Sequence, residues 1–355
     1  MTKRLLPRLA RALTLSAGFI AVSFTAATAK AADVNIYTAR QPELIQPLLD
    51  AFTEETGLTT ATIFLDKGLE ERVAAEGANS PADLIMTVDI GRLDAAKQAG
   101  VVQPVDDAAL TANIPAQFRD AENEWFGLTA RGRVAYASKE RVDVDQITYK
   151  DLADPKWKGR LCVRSGQHPY NVALIAAYIA HYGEDAAREW TAGLRDNLAR
   201  RPEGGDRDQA KAIFAGQCDI ALGNTYYVGK MATNDKEPEQ KEWAEAIKVI
   251  MPTFDNGLTH VNISGIALAK NAPNKNNALK LMEFLSSDEA QKIYAELNYE
   301  YPVKPGIATS ELVTSFGEMK PDDMPLAEIA KFRAKASEIV DEVGFDNGPQ
   351  SQTRS

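Results

Sequence analysis

Residues 34–65 read Val34-Asn-Ile-Tyr-Thr-Ala-Arg-Gln-Pro-Glu-Leu-Ile-Gln-Pro-Leu-Leu-Asp-Ala-Phe-Thr-Glu-Glu-Thr-Gly-Leu-Thr-Thr-Ala-Thr-Ile-Phe-Leu65. A short β-rich run opens this stretch. From Glu43 to Thr56, Leu44, Ile45, Leu48, Leu49 and Phe52 recur at helical spacing. Gly57 stops the helix, and Thr59 to Leu65 alternates as a second strand. Leu69 to Glu76 predicts a further helix, Ala82 to Thr87 a buried strand, and Asp94 to Ala99 another helix. This βαβα rhythm places the chain in the α/β class, with a mixed, mostly parallel sheet flanked by helices. The pattern resumes at Gly159 to Val163, Asn171 to Tyr182, Asp208 to Ala215 and Asp219 to Leu222. With 355 residues to place, two α/β lobes are expected. No Pro/Gly/Ser-rich linker divides them, so the crossing is assigned to strands, Gly132 to Ala137 and Leu258 to Ala269. Asn276 to Leu297 predicts one long amphipathic helix, and Leu326 to Val343 the last one.

The first 31 residues are set aside from the fold. Lys3, Arg4, Arg8 and Arg11 precede a small-residue apolar stretch, Ala12 to Ala27, and Ala29-Lys30-Ala31 fits a cleavage site. The stretch is too short and too interrupted for a membrane anchor. Residues 1–31 therefore read as a signal peptide cleaved near Ala31–Ala32, and the product as an exported, periplasmic protein. Losing the five basic residues of that segment takes the net charge from −10 to −15. An acidic chain with pI near 5.0 is a poor partner for nucleic acid.

Export gives the two cysteines a meaning. Cys162 and Cys218 are an even pair in an oxidising compartment, which favours a disulfide. A metal-binding or nucleophilic cysteine needs a nearby His or basic partner that the sequence does not supply. Hydrolase elbows, Walker loops, zinc-protease and EF-hand signatures are absent, so the chain is read as a non-enzyme. Of three histidines, His181 reads as a surface residue, while His168 and His260 flank segments of interest. Gly204-Gly205 reads either as an anion cradle or as a turn before the Asp208 helix.

Tyrosines carry the sharper signal. Gly223-Asn-Thr-Tyr226-Tyr227 puts two adjacent tyrosines after a strand, behind cap-forming residues. In the first turn of a helix they can both reach one point ahead of it. Arg164-Ser-Gly-Gln-His-Pro-Tyr170 repeats the design, a strand, a polar loop and a tyrosine that opens a helix. Both clusters lie at the carboxyl ends of strands, where open α/β sheets bind ligands. Three phenolates would neutralise one trivalent hard cation, Fe3+, leaving coordination positions for an anion or water. Lining for an organic ligand is the other reading of the same residues. Arg40, Gln41, Arg131 and Arg133 lie near strand ends and could hold an oxyanion, arginine offering a planar two-pronged donor.

The chain resembles the periplasmic ferric-ion-binding proteins of ABC iron transporters, the FbpA/FutA type, over essentially all of its mature length. The resemblance is carried by Tyr37-Thr-Ala-Arg-Gln-Pro, Ser80-Pro-Ala-Asp-Leu-Ile-Met-Thr-Val-Asp, Trp125-Phe-Gly-Leu-Thr-Ala-Arg-Gly-Arg, Cys162-Val-Arg-Ser-Gly, Tyr170-Asn, Gly204-Gly-Asp-Arg-Asp-Gln, Gly223-Asn-Thr-Tyr-Tyr and Asn262-Ile-Ser-Gly. It implies a two-lobed, type II solute-binding fold with hinge strands between the lobes. On this sequence that gives an N-lobe of 32–131 plus 256–305, a C-lobe of 132–255 plus 306–345, and a disordered tail, 346–355. It implies Fe3+ held by Tyr170, Tyr226 and Tyr227, and delivery by a monomeric protein to an inner-membrane permease driven by a cytoplasmic ATPase. Many members carry His or His-Tyr in the first loop, where this chain has Gln41-Pro42. It looks like the three-tyrosine subgroup with a synergistic carbonate or bicarbonate, held by Arg40, Gln41 and Arg131. The alternative is an organic or oxyanionic solute bound by the arginines without metal.

Overall fold

The computed structural model describes residues 32–65 and 67–349. The expected signal peptide and residues 350–355 lie outside them. The described residues form one compact unit. Its strands are β1 (Val34–Thr38), β2 (Thr60–Phe64), β3 (Leu84–Thr87), β4 (Phe126–Ser138), β5 (Leu161–Cys162), β6 (Ile220–Asn224), β7 (Ile247–Ile250), β8 (Val261–Leu268) and β9 (Tyr301–Pro302). They pair in the order β2-β1-β3-β8-β4-β6-β5, with β7 and β9 also on β4.

The βα units behave as their periodicity predicts. Leu44, Ile45, Leu48, Leu49 and Phe52 are all buried on helix Pro42–Thr56, which Gly57 ends at φ +71°. Burying five such side chains is worth about 10 kcal/mol before chain entropy is counted. The β1–β2, β1–β3 and β5–β6 pairs are parallel. Every pair made by β4, and the β3–β8 pair, is antiparallel. Among the named strands, parallel pairing is thus confined to the βα units, and the strands that cross between them run the other way, giving a mixed sheet.

β4 is the structural spine. All 13 of its residues are buried. From Phe126 to Gly132 it pairs with β8; from Arg133 to Ala137 it pairs with β6, and from Ala135 with β7. The change of partner falls between Gly132 and Arg133. Gly265 of β8 must be glycine, since a Cβ there would come within 2.6 Å of the Phe126 carbonyl oxygen.

Two long helices of the sequence reading are broken. Asn276 to Leu297 divides into Lys275–Leu285 and Asp288–Asn298, where the Ser287 hydroxyl accepts from the Ala290 amide and caps the second. Leu326 to Val343 divides into Leu326–Ala330 and Arg333–Glu342. Residues 345–347 form a short turn whose Asp346 carboxylate accepts from Ser165 Oγ (2.6 Å) and the Gly166 amide (2.7 Å), so the chain is held at least to that point. Cys162 and Cys218 are bonded, with Cα atoms 5.9 Å apart, inside an apolar cluster with Tyr136, Ile213 and Met231.

Candidate functional site

β5 and β6 run parallel, so the chain leaving each arrives at the same sheet edge. Six residues after β5, helix Pro169–Tyr182 begins with His168 as its cap, the ring Nδ1 accepting from the Tyr170 amide at 3.3 Å. Tyr170 therefore sits in the first turn. β6 passes directly into helix Thr225–Ala232, which puts Tyr226 and Tyr227 in the first turn of that helix. The Tyr170 and Tyr226 hydroxyl oxygens are 3.2 Å apart, and the Tyr226 and Tyr227 rings lie 4.2 Å apart by their centroids. All three tyrosines line a cavity of ≈ 200 Å³, together with Gln41, His168 and Arg164. Two separate βα units thus converge on one point, as their loop design predicts.

The phenols are surrounded by guanidinium groups. Arg131, Arg133 and Arg164 lie 5.4, 5.9 and 5.5 Å from the Tyr170 ring centre, and Arg207 lies 5.5 Å from that of Tyr227. Burial pushes the Tyr226 phenol well above its ordinary range, and the neighbouring phenols push the same way; Arg131 opposes them. Burial also raises Tyr227, with Arg164 opposing. Without a bound cation both are neutral at physiological pH. Burial likewise drives the His168 imidazole down to about 3, so it is neutral as well.

One carboxylate organises this half of the site. Asp206, fully buried, accepts from Arg133 Nη1 (2.7 Å), Arg164 Nη1 (3.2 Å) and the Asn224 amide (2.8 Å). Burial alone would raise its carboxyl, but the two arginines outweigh that and hold it below the usual range. Arg133 also donates to the side-chain oxygens of Asn171 and Asn224. Its fork is committed to the protein, which removes it from the anion donors expected of it. Asn224 spends its side chain on that bond and does not cap its helix. The Gly204-Gly205 pair is the turn, not the cradle: Asp208 Oδ2 accepts from the Gly205 amide at 2.7 Å.

The other expected residues fall in two places. Gln41 is exposed and lines the cavity. Arg40 and Arg131 are each only 1% exposed and meet at Ser264, whose Oγ accepts from Arg40 Nη1 (2.5 Å) and Arg131 Nη1 (2.8 Å). Glu300 pairs with Arg40 through both its oxygens, at 3.3 and 2.5 Å. The Nε atoms of Arg40 and Arg131 are buried without a hydrogen-bond partner. Asp206 and Glu300 were missed by the sequence reading. Asp206 carries a signal, a carboxylate opening a helix after a glycine turn, but Glu300 carries none.

His181 is not a plain surface residue. It bonds to Asp322 at 2.8 Å and stacks on Phe254 at 4.0 Å. His260 is fully buried, with neither ring nitrogen partnered. Asp120, Glu122 and Glu124 converge elsewhere, but Lys97 Nζ already bridges them at 2.9, 2.8 and 3.2 Å.

The sequence profile of the bacterial extracellular solute-binding proteins matches residues 79–337. Iron uptake protein A1 of Synechocystis sp. is 40% identical over 316 residues, covering 88% of this chain and 87% of that protein. Among solved structures, the ferric binding protein of Bordetella superposes with a TM-score of 0.83 at 54% identity, over 88% of this chain and 99% of that one. A FutA of Trichodesmium, solved in complex with iron and citrate ligands, gives 0.83 at 43% identity, with the same coverage of both chains. Both likenesses cover 88% of this chain and bring with them the two-lobed architecture expected from the sequence. With its profile match spanning most of the chain and both tyrosine-bearing βα units, this protein belongs to the bacterial extracellular solute-binding family and is a binding protein, not an enzyme.

Proposed function

We propose that this protein binds one ferric ion through Tyr170, Tyr226 and Tyr227, with a carbonate-like anion completing the coordination sphere, and delivers it to an inner-membrane ABC permease driven by a cytoplasmic ATPase. The observation that carries this reading is the convergence of three phenols, from two first turns, on one small cavity. Three phenolates and one Fe3+ sum to zero charge, and a hard anionic oxygen set suits a hard cation. The ion itself supplies what burial denies the phenols, a reason to ionise. The relatives named for iron uptake and ferric binding support the same cargo.

Unsatisfied donors support the anion. A buried N–H without a partner is costly, and Arg40 and Arg131 each leave one. An oxyanion taken up beside them, with Gln41 at the cavity wall, would satisfy both and bind the metal with its other oxygens. In this scheme the exported chain begins near Ala32 and acts as a monomer. The lobes are 32–131 with 256–305, and 132–255 with 306–345. The partner change of β4 at Gly132 and Arg133 supports that boundary. The cargo then has its protein ligands on one lobe and its anion donors on the other.

A visible absorption titration with a ferric chelate, with and without bicarbonate, tests the reading. A tyrosinate-to-iron charge-transfer band saturating at one iron per chain is expected, and Tyr226→Phe or Tyr227→Phe should abolish it. A cavity that binds an organic or oxyanionic solute through its arginines would show no band and would tolerate the Phe substitutions.

A further inference from the structure

Glu300 is a charged residue that the proposed site does not use, yet it is buried against two residues that the site does. Its side chain is 2% exposed. Both oxygens face Arg40, Thr129 Oγ1 donates to Oε2 at 3.1 Å, and Arg131 Nη1 lies 3.9 Å from Oε1. Two guanidinium groups, one carboxylate and one shared hydroxyl thus form a closed cluster around Ser264. The carboxylate neutralises one of the two positive charges, and it fills the paired Nη face of Arg40. What the cluster still offers is one net positive charge and two Nε donors.

The residues before Glu300 hold it there from both sides. On one side Asn298 Nδ2 donates to the Leu44 carbonyl (2.8 Å), in the helix that follows Arg40 and Gln41. On the other, Tyr299 adopts φ +58°, unfavourable for a bulky side chain, and lays its ring on Gly229 of the helix that presents Tyr226 and Tyr227. A Cβ at Gly229 would come within 2.3 Å of that ring, and Tyr299 Oη donates to Thr233 Oγ1 at 3.1 Å. The corner 298–300 therefore fastens the loop of the anion donors to the tyrosine helix, with Glu300 at its centre.

We propose that Glu300 is a built-in carboxylate that positions Arg40 and Arg131 and sets the charge of the anion they accept, an inference that rests on the ferric and anion reading above. With Glu300 in place, the cluster is matched by a singly charged oxyanion of bicarbonate type. Multiply charged anions such as phosphate gain less, because their second charge meets the carboxylate. Removing the negative charge leaves two buried guanidinium groups joined at Ser264 with no carboxylate between them, and an exogenous anion takes its place.

Glu300→Gln tests this, in two measurements on the purified protein. In the first, without iron, thermal unfolding is followed against added bicarbonate, nitrate and phosphate. The variant is expected to be destabilised and then rescued by these anions, phosphate most, while the parent responds to bicarbonate and little to phosphate. In the second, the bicarbonate and phosphate concentrations that half-saturate the iron band are compared. The variant should need about tenfold less anion, with the phosphate-to-bicarbonate preference shifted toward phosphate by a similar factor. Equal anion responses in parent and variant, in both measurements, would overturn the proposal and leave Glu300 a purely structural ion pair. If Glu300→Gln folds under no anion, Glu300→Asp decides, since it keeps the charge but withdraws it by one carbon. An anion preference close to the parent's supports the proposal, and a shift toward phosphate as large as that expected of the glutamine variant would overturn it. The iron-free measurement keeps this separate from the ferric reading, whose own failure would show as a parent protein without a band.

Discussion

On the proposed ligand set, the neutral, buried phenols make iron binding steeply dependent on pH, through two residues in particular. Burial raises Tyr226 and Tyr227 above a reference that is already about 10, so across pH 5 to 8 both carry their protons when the site is empty. As the proposed iron ligands they would be phenolates. Each must therefore release a proton on binding, and each released proton costs a factor of ten in apparent affinity per unit fall in pH. The sign is fixed: acid weakens binding, throughout a window lying wholly below both phenol values. Two protons give about a hundredfold per pH unit, or about 2.7 kcal/mol. The assay is competition against a chelator of known protonation at pH 6, 7 and 8. After correction for the chelator, the logarithm of the affinity should rise with a slope of two or more. A slope of one or less would mean that at least one of these tyrosines keeps its proton, and the phenolate argument would fail.

His260 predicts an acid weakness in the iron-free fold. Burial lowers its imidazole to about 4, against 6.5 in an unfolded chain; Asp322 and Asp89 only partly offset this, and Arg133 adds to it. Between those values the unfolded state binds a proton that the folded state does not, so stability falls as pH falls from about 6.5 to about 4, by about 3 kcal/mol in all. Urea unfolding at pH 7 and 4.5 should show His260→Leu losing less than the parent; equal losses would discard this assignment. The Cys162–Cys218 bridge closes a loop across 56 residues of sequence separation, worth about 4 kcal/mol on the chain-entropy estimate. Replacing both cysteines by alanine should lower the urea midpoint accordingly yet leave the iron band in place, since neither residue lines the cavity.

What could be read from the sequence depended on whether the determinant was local. The helix of Leu44 to Phe52 and the first-turn positions of Tyr170, Tyr226 and Tyr227 are set by spacing, caps and adjoining strands, all within a few residues. Their directions were accordingly legible. The break at Ser286-Ser287 was not, because an apolar stripe continues through both helices and a single serine cap decides the boundary. The state of Arg133 and Arg40 was illegible for a stronger reason. Their partners lie 73 and 260 residues away, and nothing near either arginine distinguishes a guanidinium awaiting an anion from one already paired. His181 misled in the same way, its partner Asp322 being 141 residues distant.

The proposed site for a trivalent cation, ringed by Arg131, Arg133, Arg164 and Arg207, looks electrostatically inverted, and the contradiction resolves once protonation is followed. Asp206 offsets part of the charge of Arg133 and Arg164, as Glu300 does for Arg40 and Arg131. The remaining positive charge repels any cation approaching neutral phenols, which have only weak dipoles to offer it. A divalent ion such as Mg2+ or Ca2+ meets that repulsion and acidifies a phenol only weakly. Fe3+ acidifies strongly enough to strip the protons, and each proton lost converts a neutral ligand into an anion that the same arginines stabilise. Arg131 beside Tyr226 and Arg164 beside Tyr227 already act in that direction. The ring therefore selects for the ability to ionise phenol rather than for positive charge as such. On this argument the cavity discriminates by Lewis acidity, with the arginines supplying both the barrier to weak acids and the stabilisation that rewards a strong one.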